Sequence, residues 1–199
     1  MKVGLLCEES GIVRDEFAKR GHDAWSCDIL PRPGKHIRGD CLAQDWTGFD
    51  LLICFPPCTY LCRSGQRWLH NPDGSRNERR WRQMQEAIAF FLGCLDLASK
   101  FDCRVGAENP RMHCHAAARI GKSNQWFQPW HFGHGEVKET HLWLRGLPPL
   151  RPTNIVNGRE AKVHLASPGH HRARIRSATY RGVAGAMAEQ WGSLQPVPA

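Results

Sequence analysis

Residues 50–59 read DLLICFPPCT, and this run of an acid, an apolar stretch, two prolines and a cysteine decides the expected fold. The apolar part has the length of a strand buried in a parallel sheet. Pro56 and Pro57 lack the backbone N–H that a strand ladder needs, so they end the strand and stiffen the turn that follows. Cys58 therefore stands at the carboxyl end of a strand, where open α/β sheets bind ligands, and is a candidate nucleophile. A buried loop cysteine is the alternative interpretation.

The residues before this run predict half of a nucleotide-binding α/β unit. A strand over Val3–Cys7 leads through a turn at residues 8–11 into a helix over Ile12–Lys19, and a second strand covers Ala24–Cys27. Asp28 ends that strand about 20 residues past the first turn, where such folds hydrogen-bond a ribose hydroxyl. A solvated carboxylate that ends a strand would suit the same position.

The rest of the chain continues the alternation of strands and helices. Further strands are expected at residues 36–40, 50–55, 104–107, 126–132 and 140–144, and helices from the basic segment 71–82 to about residue 99 and at 182–191. Pro110 is expected to stop the strand that precedes Glu108 and Asn109. The pattern predicts one α/β domain over residues 1–199, with a mostly parallel sheet and helices on both faces. Residues 1–110 would form the core of the site, and 111–199 the later strands, an irregular basic loop at 151–177 and the last helix.

Composition narrows the class of protein. The net charge of +8 over 199 residues suggests an anionic partner such as nucleic acid. No window approaches the roughly 18 apolar residues of a membrane span, and no apolar segment follows a charged start, so neither a membrane partner nor a secretory signal is expected. The nine cysteines lack the spacing of a disulfide framework, which favours the reducing cytoplasm. No obligate protein partner is inferred.

The chain is rich in cysteine and histidine, the usual ligands of zinc. Cys58 and Cys62 stand four residues apart, and residues 113–115 read His-Cys-His. No second pair at the spacing of a zinc ribbon or finger accompanies either group, so no metal is expected.

Two arginine clusters are candidate phosphate contacts. Trp81 stands among four arginines, at positions 76, 79, 80 and 82. These arginines could form a solvated face of the protein or bind phosphate groups. Arg172, Arg174 and Arg176 alternate in sequence, so an extended backbone would send all three to one side, as a row matching successive phosphates. A solvated basic loop is the alternative for this second cluster.

Residues 50–65 resemble the catalytic motif of the cytosine carbon-5 DNA methyltransferases. That motif runs through an acid, an apolar strand end and Pro-Cys to a Ser-Gly turn, and here Pro57-Cys58 is followed by Ser64-Gly65. Glu108-Asn109 is similar to the family's Glu-Asn pair. Asp28 and Gly39-Asp40 fall where the family contacts ribose and adenine. The likeness covers about the first 110 residues and is that of a short, phage-encoded member, for which the host cytoplasm would be the location.

The resemblance implies a Rossmann-like, S-adenosylmethionine-dependent enzyme that methylates cytosine in DNA. Cys58 would add to carbon-6 of the ring, and Glu108 would protonate or hydrogen-bond nitrogen-3. The implied cofactor contacts are Glu8, Ser10, Gly11, Asp28, Asp40 and Pro56. The implied substrate contacts are Pro57, Thr59, Ser64, Gly65, Asn109, Arg172, Arg174 and Arg176.

Three departures from the family pattern leave other functions open. Of the glycines in the family's first turn, this chain has only Gly11. Glu8 stands where the family's backbone approaches the cofactor, and the Glu8 carboxylate could instead bind the cofactor's ammonium group. Thr59 replaces a glutamine, and no separate target-recognition domain follows. The alternatives are the same chemistry on a free pyrimidine nucleotide, and a DNA-binding relative without activity.

Overall fold

Seven strands form one sheet in this computed structural model, which describes residues 1–165 and 176–195. In chain order they are β1 (Lys2–Leu6), β2 (Asp23–Asp28), β3 (His36–Arg38), β4 (Leu51–Cys54), β5 (Arg104–Pro110), β6 (Gln125–Phe127) and β7 (Thr140–Arg145). Their spatial order is β3-β2-β1-β4-β5-β7-β6. Strands β1 to β5 are mutually parallel, and β7 runs antiparallel to both of its neighbours. The direction of winding reverses between β1 and β4, and ligands of open α/β sheets bind at the crevice such a reversal creates.

Helices cover both faces of the sheet. They are α1 (Ile12–Lys19), α2 (Glu78–Phe101), α3 (Cys114–Ile120), α4 (Lys162–Leu165) and α5 (Arg181–Gln190), with 3-10 turns at Arg63–Leu69 and Pro129–His131. α2 and α3 pack on one face, and α1 and α5 pack together on the other. Within the described ranges, no helix combines the length and the apolar character needed to cross a membrane.

The central strand β4 is buried on both sides, as a parallel strand between two helical layers should be. All four of its residues are 0% exposed: Leu52 and Cys54 belong to the core under α2, and Leu51 and Ile53 to the core under α1 and α5. This alternation places an unbroken apolar run in the middle of the molecule, and the sequence of the run specifies its position in the sheet.

The predicted α/β class and its mostly parallel sheet are confirmed, while two local predictions were wrong and one helix was not predicted. Residues 126–132 are not one strand: β6 ends at Phe127, because Pro129 begins a 3-10 turn. β5 continues through Pro110, which pairs with Thr140 at the strand's last position, where an absent N–H is tolerated. α3 was not predicted; His113 caps it, accepting from the Ala116 N–H at 3.2 Å.

Two glycines of α5 differ in the space around them, so we expect alanine at each position to change the stability in opposite directions. A methyl group at Gly182 would overlap the carbonyl oxygen of Phe132, whereas at Gly185 the nearest atom would be Arg20 Nη2 at 3.7 Å. We expect Gly182→Ala to lower the free energy of unfolding by about 1–3 kcal/mol through overpacking. Gly185→Ala should raise it by up to about 1 kcal/mol, since alanine is the better helix former. Urea denaturation of both variants checks this, and equal stabilities would contradict the close contact.

Candidate active site

The loop that carries Cys58 is held from both sides. Asn109 Nδ2, from the end of β5, donates to the carbonyl of buried Pro56 at 2.8 Å, and Arg80 Nη2, from α2, donates to the Thr59 carbonyl at 2.8 Å. Asn109 is 0% exposed, so it supports the loop from behind. Cys58 is partly buried and stands between these two supports. The Pro-Pro turn predicted to position a thiol at the end of β4 is thus reinforced by two hydrogen bonds from other elements.

Gly65 stands where the loop leaves no room for a side chain. A Cβ there would stand 2.9 Å from the Thr59 carbonyl oxygen and 3.2 Å from Arg80 Nη2. Glycine at this spacing therefore lets the chain fold back against the residue that follows the cysteine. Pro57, Thr59 and Ser64, which the resemblance assigns to the substrate, are exposed around the loop.

Cys62 lies one turn after Cys58, and the two thiols are hydrogen-bonded to each other. The Cys62 N–H donates to the Cys58 carbonyl at 3.0 Å, and Cys62 Sγ lies 3.1 Å from Ser64 Oγ. The hydrogen bond from Cys58, supported by Ser64 and by the backbone N–H groups of Ser64 and Gly65, lowers the pKa of Cys62 to about 5. The same bond, followed by burial, raises the pKa of Cys58. Of the two thiols, Cys62 is therefore the more readily ionised and Cys58 the one that holds its proton more tightly.

Glu108 stands at the end of the neighbouring strand and acts electrostatically on Cys58. Burial raises its pKa above the ordinary value, and Lys138 opposes that shift. Lys138 also lowers the pKa of Cys58, so its ammonium group lies near both. Lys138 Nζ is held by the Ala178 carbonyl at 3.3 Å. Sequence reasoning missed this lysine, because it comes 30 residues after Glu108 and meets it only through the pairing of β7 with β5.

The space beside Glu108 is narrow. It is lined by Phe127, Lys138, Thr140, Thr179, Tyr180, Val183 and Met187 and has a volume of about 10 Å³. That is room for about one water molecule. A pyrimidine ring does not fit there unless the lining side chains move.

The turn after β1 buries an acid. Glu8 is 3% exposed; its Oε1 accepts from Ser10 Oγ at 2.5 Å and from the Val13 N–H at 3.5 Å, while Oε2 has no partner among the residues that the structure describes. Burial raises the pKa of Glu8. Gly11 has a φ of 72°, and Cys7 has a φ of 57°, which costs a non-glycine residue roughly 1–2 kcal/mol. The predicted turn is therefore a strained one, with an unpaired carboxylate oxygen beside the crevice.

The two acids predicted to bind the cofactor end β2 and follow β3. Asp28 Oδ1 accepts from the Leu30 N–H at 2.9 Å, and the exposed Asp40 accepts from the Leu42 N–H at 3.0 Å. Each closes a local turn and has a second carboxylate oxygen. Ile29, directly after Asp28, is 70% exposed. Sequence reasoning did not single it out, although an isoleucine in a turn after an acid was a visible signal.

The predicted row of arginines lies mostly outside the described residues. Arg172 and Arg174 lie outside the described residues, and Arg176 is partly buried.

The histidine-cysteine cluster has a structural role in this fold. Both ring nitrogens of His113 are engaged, with the Tyr60 carbonyl at 3.0 Å and with the first turn of α3. Across residues 1–165 and 176–195, no three cysteine, histidine or acidic side chains are grouped so as to hold a metal ion.

Neither a scan against protein-family models nor a search of curated proteins finds a match to this chain. The function is therefore inferred from the grouping of Cys58, Cys62, Glu108 and Lys138 and from the turn after β1.

Glu8→Gln separates the role of this acid in stability from any role in binding. The folded-state pKa of Glu8 lies above its ordinary value of 4.5, so the stability linked to its protonation is present below that value and is lost as pH rises through the folded-state pKa. The glutamine variant should therefore be more stable than the wild type at pH 8, on the order of 1–3 kcal/mol, and similar to it at pH 4. Thermal melts at the two pH values measure this. A difference that does not depend on pH would contradict a buried, ionising carboxylate.

Proposed function

We propose that the protein is an S-adenosylmethionine-dependent methyltransferase that acts on carbon-5 of cytosine in DNA. The observation that carries the proposal is the meeting of Cys58, Glu108 and Lys138 at adjacent strand ends of an α/β sheet. A nucleophile and a protonated acid are the two groups that addition to a cytosine ring needs. The likeness of residues 50–65 and of Glu108-Asn109 to the cytosine carbon-5 methyltransferases supports the same reaction.

The turn after β1 fits the proposed cofactor. The unpaired Oε2 of Glu8 offers a buried acceptor for an ammonium group, while Asp28 has an oxygen for a ribose hydroxyl and the exposed Ile29 gives an apolar surface for an adenine ring. Asp40, Ser10, Gly11 and Pro56 complete the proposed contacts. The cofactor supplies the methyl group. The residues of this chain bind and orient it at the crevice between β1 and β4.

The proposed reaction begins with transfer of the Cys58 proton to the Cys62 thiolate. The Cys58 thiolate formed in this way bonds to carbon-6 of cytosine, and Cys62 keeps the proton. Electron density moves toward nitrogen-3, where Glu108 donates its proton, and Lys138 offsets the negative charge left on the carboxylate. Carbon-5 of the resulting enamine takes the methyl group. Loss of the carbon-5 proton to a base and of Cys58 from carbon-6 then restores the aromatic ring.

A target within a duplex must leave the stack to reach Cys58, because the thiol is partly buried and a paired base is enclosed in the helix. A free pyrimidine nucleotide would avoid this step. A tritiated-methyl transfer assay over DNA, RNA and free nucleotides decides between these substrates. Absence of transfer to all three, together with calorimetry that finds no affinity for the cofactor or its demethylated product, would leave only a DNA-binding role.

Cys58 should be required for methyl transfer and Cys62 should not. We expect Cys58→Ser to abolish transfer while cofactor affinity and thermal stability stay as in the wild type, since serine preserves the size of the side chain. Cys62→Ser should keep measurable transfer but shift its dependence on pH, because the partner that shares the proton is altered.

DNA with fluorine at carbon-5 of the target cytosine gives a second measurement. The proton that must depart is absent, so the covalent adduct should be trapped at Cys58 and found there by peptide mass spectrometry. An adduct at Cys62, or an active Cys58→Ser variant, would contradict the assignment.

Glu108 and Lys138 should set the alkaline limb of the pH–rate profile. Glu108 must be protonated to act, so turnover should fall as pH rises through its raised pKa, and Glu108→Gln should lower turnover more than cofactor affinity. Lys138 lowers the pKa of Glu108, so Lys138→Met should move the alkaline limb to higher pH. Lys100→Met, at an exposed position in the last turn of α2, is the control. An unchanged limb in Lys138→Met would refute the coupling.

A further inference from the structure

A second cleft lies at the same edge of the sheet as Cys58 and Glu108. It has a volume of about 340 Å³ and is lined by Arg111, Trp126, Glu139 and His141. Arg111 directly follows β5, three residues beyond Glu108, which is about 10 Å along a strand. Glu139 directly precedes β7 and is the neighbour of Lys138 in sequence. The cleft is therefore adjacent to the candidate active site.

The alternation of β7 separates the two sites onto opposite faces of the sheet. Thr140 lines the crevice beside Glu108 together with Lys138, whereas His141 lines the cleft together with Glu139. Trp126 pairs with His141 in register, so their side chains share a face. A strand of DNA that enters the active site can thus cross the sheet edge and reach the cleft with the adjacent nucleotide.

The polar groups of the cleft are fixed in advance. His141 Nε2 lies 2.8 Å from Glu139 Oε1, and its Nδ1 lies 2.8 Å from Ser123 Oγ, so both ring nitrogens are engaged. Arg111 Nε stands 3.9 Å from the same Glu139 oxygen. The contact with His141 holds the Glu139 carboxylate in place before a ligand binds, and the Arg111 guanidinium group lies beside it.

Trp126 contributes a large uncovered aromatic surface. Its side chain is 57% exposed on the edge strand β6, whereas Trp46 and Trp191 elsewhere in the fold are buried, at 0% exposure. Aromatic faces of this kind stack with nucleobases, and an adjacent arginine and carboxylate match the phosphate and the amino group of a nucleotide. Few other ligands combine a flat ring, an anion and an N–H donor.

We propose that this cleft binds the nucleotide next to the target cytosine, with its base stacked on Trp126, its phosphate at Arg111 and its amino group at Glu139. The inference rests on the proposed function in that it takes the target to be part of a polymer. It supplies a sequence contact that does not need a separate recognition domain. Adenine, cytosine and guanine carry an exocyclic amino group and thymine does not, so thymine should be disfavoured at this position.

The test measures binding and methyl transfer separately, on the full-length protein at one salt concentration. Short single-stranded oligonucleotides with one cytosine and each of the four neighbouring bases serve as probes. Binding is followed by fluorescence anisotropy, which needs no catalysis. The variants are Trp126→Ala, Trp126→Phe and Glu139→Gln, and Trp68→Ala removes an indole of similar exposure, 54%, outside the cleft.

We expect Trp126→Ala to weaken oligonucleotide binding on the order of 10- to 100-fold, as loss of one base–aromatic stack should, with cofactor affinity unchanged. Trp126→Phe should retain most of the affinity, because it keeps an aromatic ring. Glu139→Gln should reduce the discrimination against thymine, since an amide can also donate to a carbonyl. Trp68→Ala should lose less than Trp126→Ala.

The outcomes for the cleft and for the enzyme can be told apart. Loss of binding in Trp126→Ala, in a protein that transfers no methyl group, would retain the cleft and overturn the proposed reaction. Methyl transfer to DNA with binding and neighbour preference unchanged in both Trp126→Ala and Glu139→Gln would overturn the cleft and retain the enzyme. Equal losses in Trp126→Ala and Trp68→Ala would show non-specific contact and overturn the cleft as well.

Discussion

The hydrogen bond from Asn109 to the Pro56 carbonyl is the contact on which the candidate active site depends. A proline carbonyl buried at the end of a strand needs a donor, and an unmet one costs about 1–3 kcal/mol. Asn109 supplies it at 2.8 Å from the neighbouring strand and is itself 0% exposed. The bond joins the ends of β4 and β5, and so it fixes Cys58 relative to Glu108. Within the described part of the chain, Asn109 Oδ1 has no hydrogen-bond partner, which is a cost in free energy at this position.

The ionisable groups around this contact lower the stability of the fold. Cys58 and Glu108 both have raised pKa values, and Lys138 is the nearby cation that opposes both shifts. Glu8 adds a second buried acid at the turn after β1. Each of these groups would cost less free energy if it were apolar. Their grouping at the carboxyl ends of β1, β4 and β5 is what an α/β binding site requires.

Sequence reasoning predicted the features that depend on local chemistry. The apolar run of β4, the Pro-Pro turn and the helix Ile12–Lys19 follow from periodicity and from proline geometry, and the structure contains all three. It did not anticipate the pairing of Cys62 with Cys58, because a four-residue spacing was considered only for metal binding. Nor did it find Lys138, whose role arises from a long-range strand pairing. β6 was predicted too long for a local reason, since the effect of Pro129 was overlooked.

The placement of β7 explains how one strand serves two sites. A shift of one residue in its register would move Lys138 away from Glu108 and turn His141 toward the other face. Three contacts outside the β5 ladder hold the register: Asn124 Oδ1 accepts from the Leu144 N–H at 2.8 Å, the Asn124 N–H donates to the Leu142 carbonyl at 2.8 Å, and Trp143 Nε1 donates to the Gly121 carbonyl at 3.0 Å. All three come from the loop between α3 and β6, far from Cys58 in sequence. Because that loop sets the register, it positions Lys138 for the proposed chemistry and Glu139 for the proposed nucleotide contact at the same time, so the two proposed sites are mechanically linked through a single strand.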